Sequence, residues 1–510
     1  MFSRVYTAQI NVLEGSIVTV ETDISRGLFA FQIVGLGDKS VEEARERVSS
    51  ALKHSGFDSP RSKNQKITIL LSPADQKKEG SFFDVAIALG YLLSNESLSF
   101  DPEGKLFIGE LGLDGIIRPI RGILPIVQAA KRAGLTELYI PADNLSEAAI
   151  IDGVDIYSVR TLKELVDHLD PSKEFTLALS EHVPFNPSSR QLSVHMEDIR
   201  GQDSAKRGLE IAAAGRHNIA LYGPPGTGKT MLARAFASIL PELTLDEALE
   251  VTGIHSVAGT KTEGMVTAPP FRSPHHTASH VALTGGGAKI RPGEVTLAHR
   301  GVLFLDEFPE FDRRVLEALR QPIEDNVVSI ARAKGSVLFP SNFILVAAFN
   351  PCPCGNFGSK EKQCTCTASE IERYKKKISG PIADRIDMWV SVSNFDIELL
   401  KEKGTGEHSD SIRERVIRAR ECQSERFNSK PHIRTNSDMS VRDMDEHIIL
   451  SPESIKVLED SARTLNLSPR GYHRVKKLAR TIADLAGASS VEKEHILEAL
   501  FFRPTHASLL

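Results

Sequence analysis

Cysteine is scarce in this chain, with five in 510 residues. So few thiols make no disulfide framework, and a reducing, cytoplasmic setting is expected. Long apolar runs are missing as well. The longest, such as FILVAAF at Phe343–Phe349, fall far short of the ~20 residues a membrane span needs. The first residues, MFSRVYTAQINVLEGS, lack the apolar stretch of a secretory signal. There is no excess of positive charge. The net charge of −5 argues against wholesale coating of nucleic acid, but a local basic channel remains compatible with it. No segment repeats at a fixed period. What is present, 41% hydrophobic and 25% charged residues, is ordinary for a globular protein and enough for more than one core.

Three blocks separate along the chain, giving a multidomain α/β protein. In residues 1–170, strand-like runs (GSIVTVET, KITILLS, TELYIPA) alternate with helical patterns (VEEARERVSSALKHSG, DVAIALGYLLS). A polar, proline-containing stretch, 171–193, reads as a linker. The second block, 194–395, carries buried strands and glycine-rich loops. The third, 396–510, is predicted helical. In GYHRVKKLARTIADLAG the apolar residues Val475, Leu478, Ala479, Ile482, Leu485 and Ala486 fall at helical spacing.

The most specific motif is NIALYGPPGTGKTMLARAF. Gly223, Pro224, Pro225, Gly226, Thr227, Gly228, Lys229 and Thr230 form G-x-x-x-x-G-K-T between an apolar strand and a helix, the context of a phosphate-binding P-loop. Backbone N–H groups and the helix N-terminus suit phosphate. Lys229 is placed to reach the β- and γ-phosphates of ATP, and Thr230 to hold Mg2+. Downstream, GVLFLDEF ends a buried strand in Asp306 and Glu307, at the strand terminus where parallel α/β sheets bind ligands. Asp306 is expected to bind Mg2+ and Glu307 to orient the attacking water. The alternative is a pair of solvated carboxylates. A third buried strand ends in Asn350, whose amide suits a phosphate or the attacking water.

Four of the five cysteines fall in one loop, Cys352, Cys354, Cys364 and Cys366, spaced C-x-C-x9-C-x-C. Four thiolates suit a closed tetrahedral Zn2+ site. The competing reading is four unrelated thiols. Cys422 stands apart. His275, His276 and His280 read as polar loop histidines, with no paired acidic or cysteine ligand nearby in sequence.

Taken together, GPPGTGKT, FRSPHHTAS, GEVTLAHRGVLFLDEFPEF, AAFNPCPCG and SPRGYHRVKKLARTIADL closely resemble the YifB/ComM family of AAA+ proteins similar to the magnesium-chelatase ATPase subunit. VGLGDKSVEEARERVSSAL and LSPADQKKEGSFFDVAIALG resemble that family's N-terminal domain. The resemblance implies an ATP-driven hexameric ring with helicase-like action on branched DNA, serving integration of foreign DNA in natural transformation. It also implies a central AAA+ domain and a C-terminal helical lid. Asn350 then matches sensor 1. Arg385, in GPIADRIDMWV, matches an arginine finger; the alternative is a salt bridge to Asp384 or Asp387. Arg470 matches sensor 2, with Arg474 the runner-up. Asp306 stands 76 positions after Thr230, and the excess, about Thr252 to Ala298, resembles a helix-2 insertion. In related motors a hairpin like VVSIARAKGSVLFP lines the central channel, and Arg332 and Lys334 at its tip would track DNA phosphates. The N-terminal block resembles the Lon protease domain in layout, an α+β domain. Phe82 stands at the nucleophile position, next to Ser81, and Leu124 stands at the lysine position, so an inactive relative is expected. The competing function is a chelatase- or chaperone-like ATPase remodelling a protein partner, although no D-x-S-x-S motif is present.

Overall fold

The computed structural model describes residues 2–185, 193–260, 265–287, 290–332, 335–358, 362–393, 406–430 and 433–503. The chain forms two compact units. One comprises Met1–Asn186 together with Leu245–Val266, and the other Pro187–Thr244 with Thr267–Leu510.

The first unit is built on a seven-stranded mixed sheet. Its strands are Phe2–Asn11 (β1), Glu14–Arg26 (β2), Ala30–Val34 (β3), Gln65–Ser72 (β4), Lys105–Phe107 (β5), Glu137–Pro141 (β6) and Asp155–Val159 (β7), in the order β3-β4-β2-β1-β5-β6-β7. β1, β2 and β4 pair antiparallel, and the remaining ladders are parallel. Strand side chains alternate between two apolar layers. Val5, Val18 and Val20 pack with helices Lys39–His54 and Asp84–Ser94, while Ala8 packs with helix Ile123–Arg132 on the other layer.

Two sequence expectations change here. The stretch 171–193 is no free linker over its first half. Leu177 donates its amide to His168 Nδ1 at 3.0 Å, Ser180 to the Ile156 carbonyl at 2.9 Å and Val183 to the Ala149 carbonyl at 3.0 Å. One of these partners, Ile156, lies on the open edge of β7, and composition reveals none of the three. The second block is not contiguous either. Helix Leu245–Ala258 belongs to the first unit: Leu249 packs on its second apolar layer, and Ser256 accepts the Gly122 amide at 2.9 Å. The positions compared with a protease dyad are occupied differently. Leu124 is fully buried in the apolar layer, and Ser81 donates its hydroxyl to Glu110.

The second unit holds a five-stranded parallel sheet. Its strands are Ile219–Tyr222 (β8), Phe271–Arg272 (β9), Val302–Leu305 (β10), Ile344–Phe349 (β13) and Met388–Ser391 (β14), in the order β9-β10-β13-β8-β14. Between β10 and β13 the chain makes an antiparallel hairpin, Val327–Arg332 (β11) and Gly335–Pro340 (β12), with Arg332 opposite Gly335. Every residue of β13 is buried, as expected for a central parallel strand covered on both faces.

The C-terminal helices share this unit's core. Val475, Leu478, Ala479 and Ile482 of helix Pro469–Leu485 are buried in one apolar cluster with Ile219, Val346 and Val390 of the sheet. The helix starts where Ser468 caps it, accepting from the Gly471 amide, with Pro469 in the first turn. Its last turns carry a buried ionic knot. Asp484 accepts from Arg480 at 2.9 Å, from Arg426 at 3.0 Å and from Asn436 at 2.7 Å. Removing its carboxylate leaves two largely buried guanidinium groups unpaired. Asp484→Ala is therefore expected to lower the stability of the helical region by about 3–5 kcal/mol. Hydrogen exchange across helices Ser409–Arg426 and Pro469–Leu485 measures the loss, and wild-type protection in the variant would contradict it.

Candidate functional site

Three neighbouring strands of the second unit, β10, β13 and β8, end together, and each delivers one part of the site. The loop after β8 is the glycine-rich segment. A Cβ added at Gly223 would fall 2.0 Å from the Val392 carbonyl oxygen, so no larger residue fits there. Gly226 and Gly228 have φ of +80° and +86°, and Thr227 closes the turn by donating to the Pro224 carbonyl at 2.9 Å. Helix Lys229–Phe236 begins immediately after Gly228.

Lys229 is 8% exposed and turned back into this loop. Its ammonium donates to the carbonyls of Gly223 at 2.8 Å and Pro224 at 2.7 Å, and to Asn350 Oδ1 at 3.1 Å. Burial lowers its pKa to about 8, partly opposed by the Asp306 carboxylate. Asn350, just past β13, thus sits against the lysine. Thr230 donates its hydroxyl to Asp306 Oδ2 at 2.8 Å. Lys229, Thr230, Asp306 and Asn350 are therefore gathered at one point.

Glu307 follows Asp306 with φ of +52°, an uncommon conformation for a non-glycine residue. Its amide donates to Asp306 Oδ1 at 2.9 Å. His276 Nδ1 lies 3.0 Å from its carboxylate Oε2. This partner is one that sequence reasoning misses. His276 comes from the loop after β9, and no spacing in the sequence connects it to Glu307.

The arginines form a second cluster. Arg385 donates to Glu324 and to the Pro381 carbonyl at 2.8 Å, not to Asp384 or Asp387. Arg470 lies 3.4 Å from the same Glu324 carboxylate, and Arg474 pairs with buried Asp387. Glu324, in helix Arg320–Asp325, carries no motif that would single it out. Of the hairpin pair, Arg332 is the last residue of β11, and Lys334 lies outside the described residues.

The four loop cysteines converge. Their Sγ atoms all lie within 4.8 Å of one another, with Cys352–Cys354 at 3.4 Å, Cys354–Cys364 at 3.5 Å and Cys352–Cys364 at 3.7 Å. Tetrahedral thiolates about 2.3 Å from a central ion would stand about 3.8 Å apart, and a disulfide about 2.05 Å. The set could hold a metal ion and is not disulfide-bonded. The loop that carries these cysteines lies against the P-loop. A Cβ on Gly355 would fall 2.5 Å from Pro225 Cδ. His275, His276 and His280 do not join it.

The geometry places the two side chains differently. Lys229 is enclosed by loop oxygens, whereas Glu307 stands outside that cradle. Lys229→Ala is expected to weaken ATP binding by roughly 10–100-fold, the loss of charged hydrogen bonds. Glu307→Gln is expected to keep binding and to lose turnover by roughly 10²–10⁴-fold. Fluorescent-nucleotide titration and phosphate release measure the two quantities. Wild-type hydrolysis by Glu307→Gln would remove Glu307 from its role.

Comparison with known proteins agrees along the chain. The model for magnesium chelatase, subunit ChlI, matches residues 195–400; subunit ChlI of Mg-chelatase matches 20–144; and its C-terminal model matches 406–503. The chain is 39% identical to competence protein ComM of Haemophilus influenzae, over 98% of this chain and 97% of that one. It is 39% identical to YifB of Escherichia coli and 38% to YifB of Salmonella typhimurium, each over 95% of this chain and 94% of the other. Near-full-length identity at this level, with a parallel sheet carrying a P-loop at its strand ends, establishes that the chain belongs to the ComM and YifB family of magnesium-chelatase-like AAA+ ATPases.

Proposed function

We propose that this protein is an ATP-hydrolysing ring motor that acts on DNA, as a helicase in branch migration during recombination or natural transformation. The observation that carries the ATPase part is the convergence of Lys229, Thr230, Asp306 and Asn350. Lys229 binds the β- and γ-phosphates, and Asn350 senses the γ-phosphate. Glu307 orients the attacking water. The Thr230 hydroxyl and the Asp306 carboxylate are hard oxygen donors that fit Mg2+, which supplies charge neutralisation at the phosphate oxygens. Arg385, as a finger, and Arg470, as a second sensor, supply positive charge to the transferred phosphoryl group, Arg385 across a subunit boundary of a hexamer.

Two observations favour DNA. One relative is named a competence protein, and the first strand of this unit's β-hairpin ends at Arg332, with Lys334 two positions on in the sequence. Phosphate contacts by these side chains would give sequence-independent grip. The second reading, an ATPase that remodels a protein partner in the manner of a chelatase subunit, draws on the chelatase models matched along the chain. In both, the N-terminal unit is a catalytically inactive, Lon-protease-like module for assembly or partner binding. The cysteine cluster is a structural Zn2+ clamp on the loop that leaves Asn350.

ATP hydrolysis with and without single-stranded and branched DNA separates the readings. Strong stimulation is expected, and none would favour the protein-remodelling alternative. In the Arg332→Ala/Lys334→Ala variant, ATP binding should persist. DNA affinity should fall alike for all sequences, with a shallower salt dependence, because fewer counterions are released. An unchanged affinity and salt slope would take the hairpin out of the mechanism.

Elemental analysis should find about one zinc per chain. Chelation should lower the melting temperature, since metal binding is coupled to folding of its loop. Metal-free protein with four freely titrating thiols and unchanged melting would rule the clamp out.

A further inference from the structure

The two arginines assigned to phosphoryl transfer share one acidic partner, and nothing in their assignment calls for it. Glu324 Oε2 accepts from Arg385, and its Oε1 lies 3.4 Å from Arg470, so both carboxylate oxygens are engaged at once. Arg385 is the more confined of the two. Its side chain is 9% exposed, against 61% for Arg470. One terminal nitrogen is spent on Glu324 and the other on the Pro381 carbonyl, while Nε is buried without a partner among the described residues. Two of its five N–H groups are spent on these acceptors, and the contact to Glu324 fixes which way the fork faces.

The chemistry of the partner is specific. A carboxylate offers an arginine fork the same paired anionic oxygens as a phosphate. Glu324 is itself half exposed, and the hydrogen bond from Arg385 holds its carboxyl below the usual range, with Arg470 adding to the effect. It is therefore an ionised competitor for the groups that phosphate would recruit.

We propose that Glu324 is a built-in restraint on hydrolysis, a carboxylate that holds Arg385 and Arg470 where a phosphate would otherwise hold them. This rests on the roles given to the two arginines above. It adds that hydrolysis requires them to leave Glu324, so the resting rate is set partly by this one side chain. Restraint acts mainly through Arg385, because its contact is the closer and more buried of the two. The exposed side of Glu324 limits the effect through solvent screening, to roughly 3- to 10-fold in rate.

The test is steady-state ATP hydrolysis by the full chain, with Mg2+ and without DNA, for wild type, Glu324→Gln, Arg385→Ala and the double variant, each with a melting curve. Glu324→Gln preserves shape and removes charge. It should raise kcat by the stated factor at near wild-type melting. The double variant should hydrolyse no faster than Arg385→Ala, because the gain passes through Arg385. Glu324→Asp, which keeps the charge but withdraws it by one methylene, should be intermediate and serves if Glu324→Gln fails to fold. A rate at or below wild type for Glu324→Gln overturns the restraint, and a lowered rate with lowered melting makes Glu324 a brace instead. Full wild-type activity in Arg385→Ala is a separate result: it removes the finger role itself.

Discussion

The ammonium of Lys229 has lost most of its water, and the oxygens replacing that water come from different parts of the fold. Two are carbonyls of its own loop, and the third is the amide of Asn350, 121 positions downstream. A buried charge is tolerated only when polar atoms surround it closely. That requirement explains the order of the sheet. The strand ending at Asn350 lies between the strand ending at the P-loop and the one ending at Asp306, so the three ends serve one cation and one threonine hydroxyl.

The cysteine loop extends this constraint. It starts two residues after Asn350, and its Gly355 lies against Pro225 of the P-loop. Close-packed contacts transmit displacement. The loop that carries the thiols is packed directly against the phosphate loop.

The parts legible in sequence were those with local signatures. The glycine-rich loop, the buried strands with their terminal Asp306, Glu307 and Asn350, the hairpin and the helix around Val475–Ile482 each carry their pattern within a few residues. The cysteine spacing pointed to a cluster for the same reason. What escaped depended on distant pairing. His276 meets Glu307, and Glu324 meets both Arg385 and Arg470, across 31, 61 and 146 positions respectively. None of these side chains sits in a pattern that betrays its partner. The pairing of Ser180 with Ile156 of β7 was hidden because an edge strand recruits backbone, and backbone has no composition.

The path of the chain between the two units has a further consequence. The first unit's sheet ends before residue 170, yet the helix Leu245–Ala258 completes its apolar layer from within the stretch that also encodes the phosphate site. The two units are interleaved in the gene. Neither can be excised as one continuous cassette: a truncation that keeps only the residues after 186 retains Leu249 but discards the apolar layer it packs on, leaving that side of the helix uncovered on the fragment. In modular terms the N-terminal unit is not a detachable accessory, and recombination at a single breakpoint could neither have added it intact nor remove it cleanly.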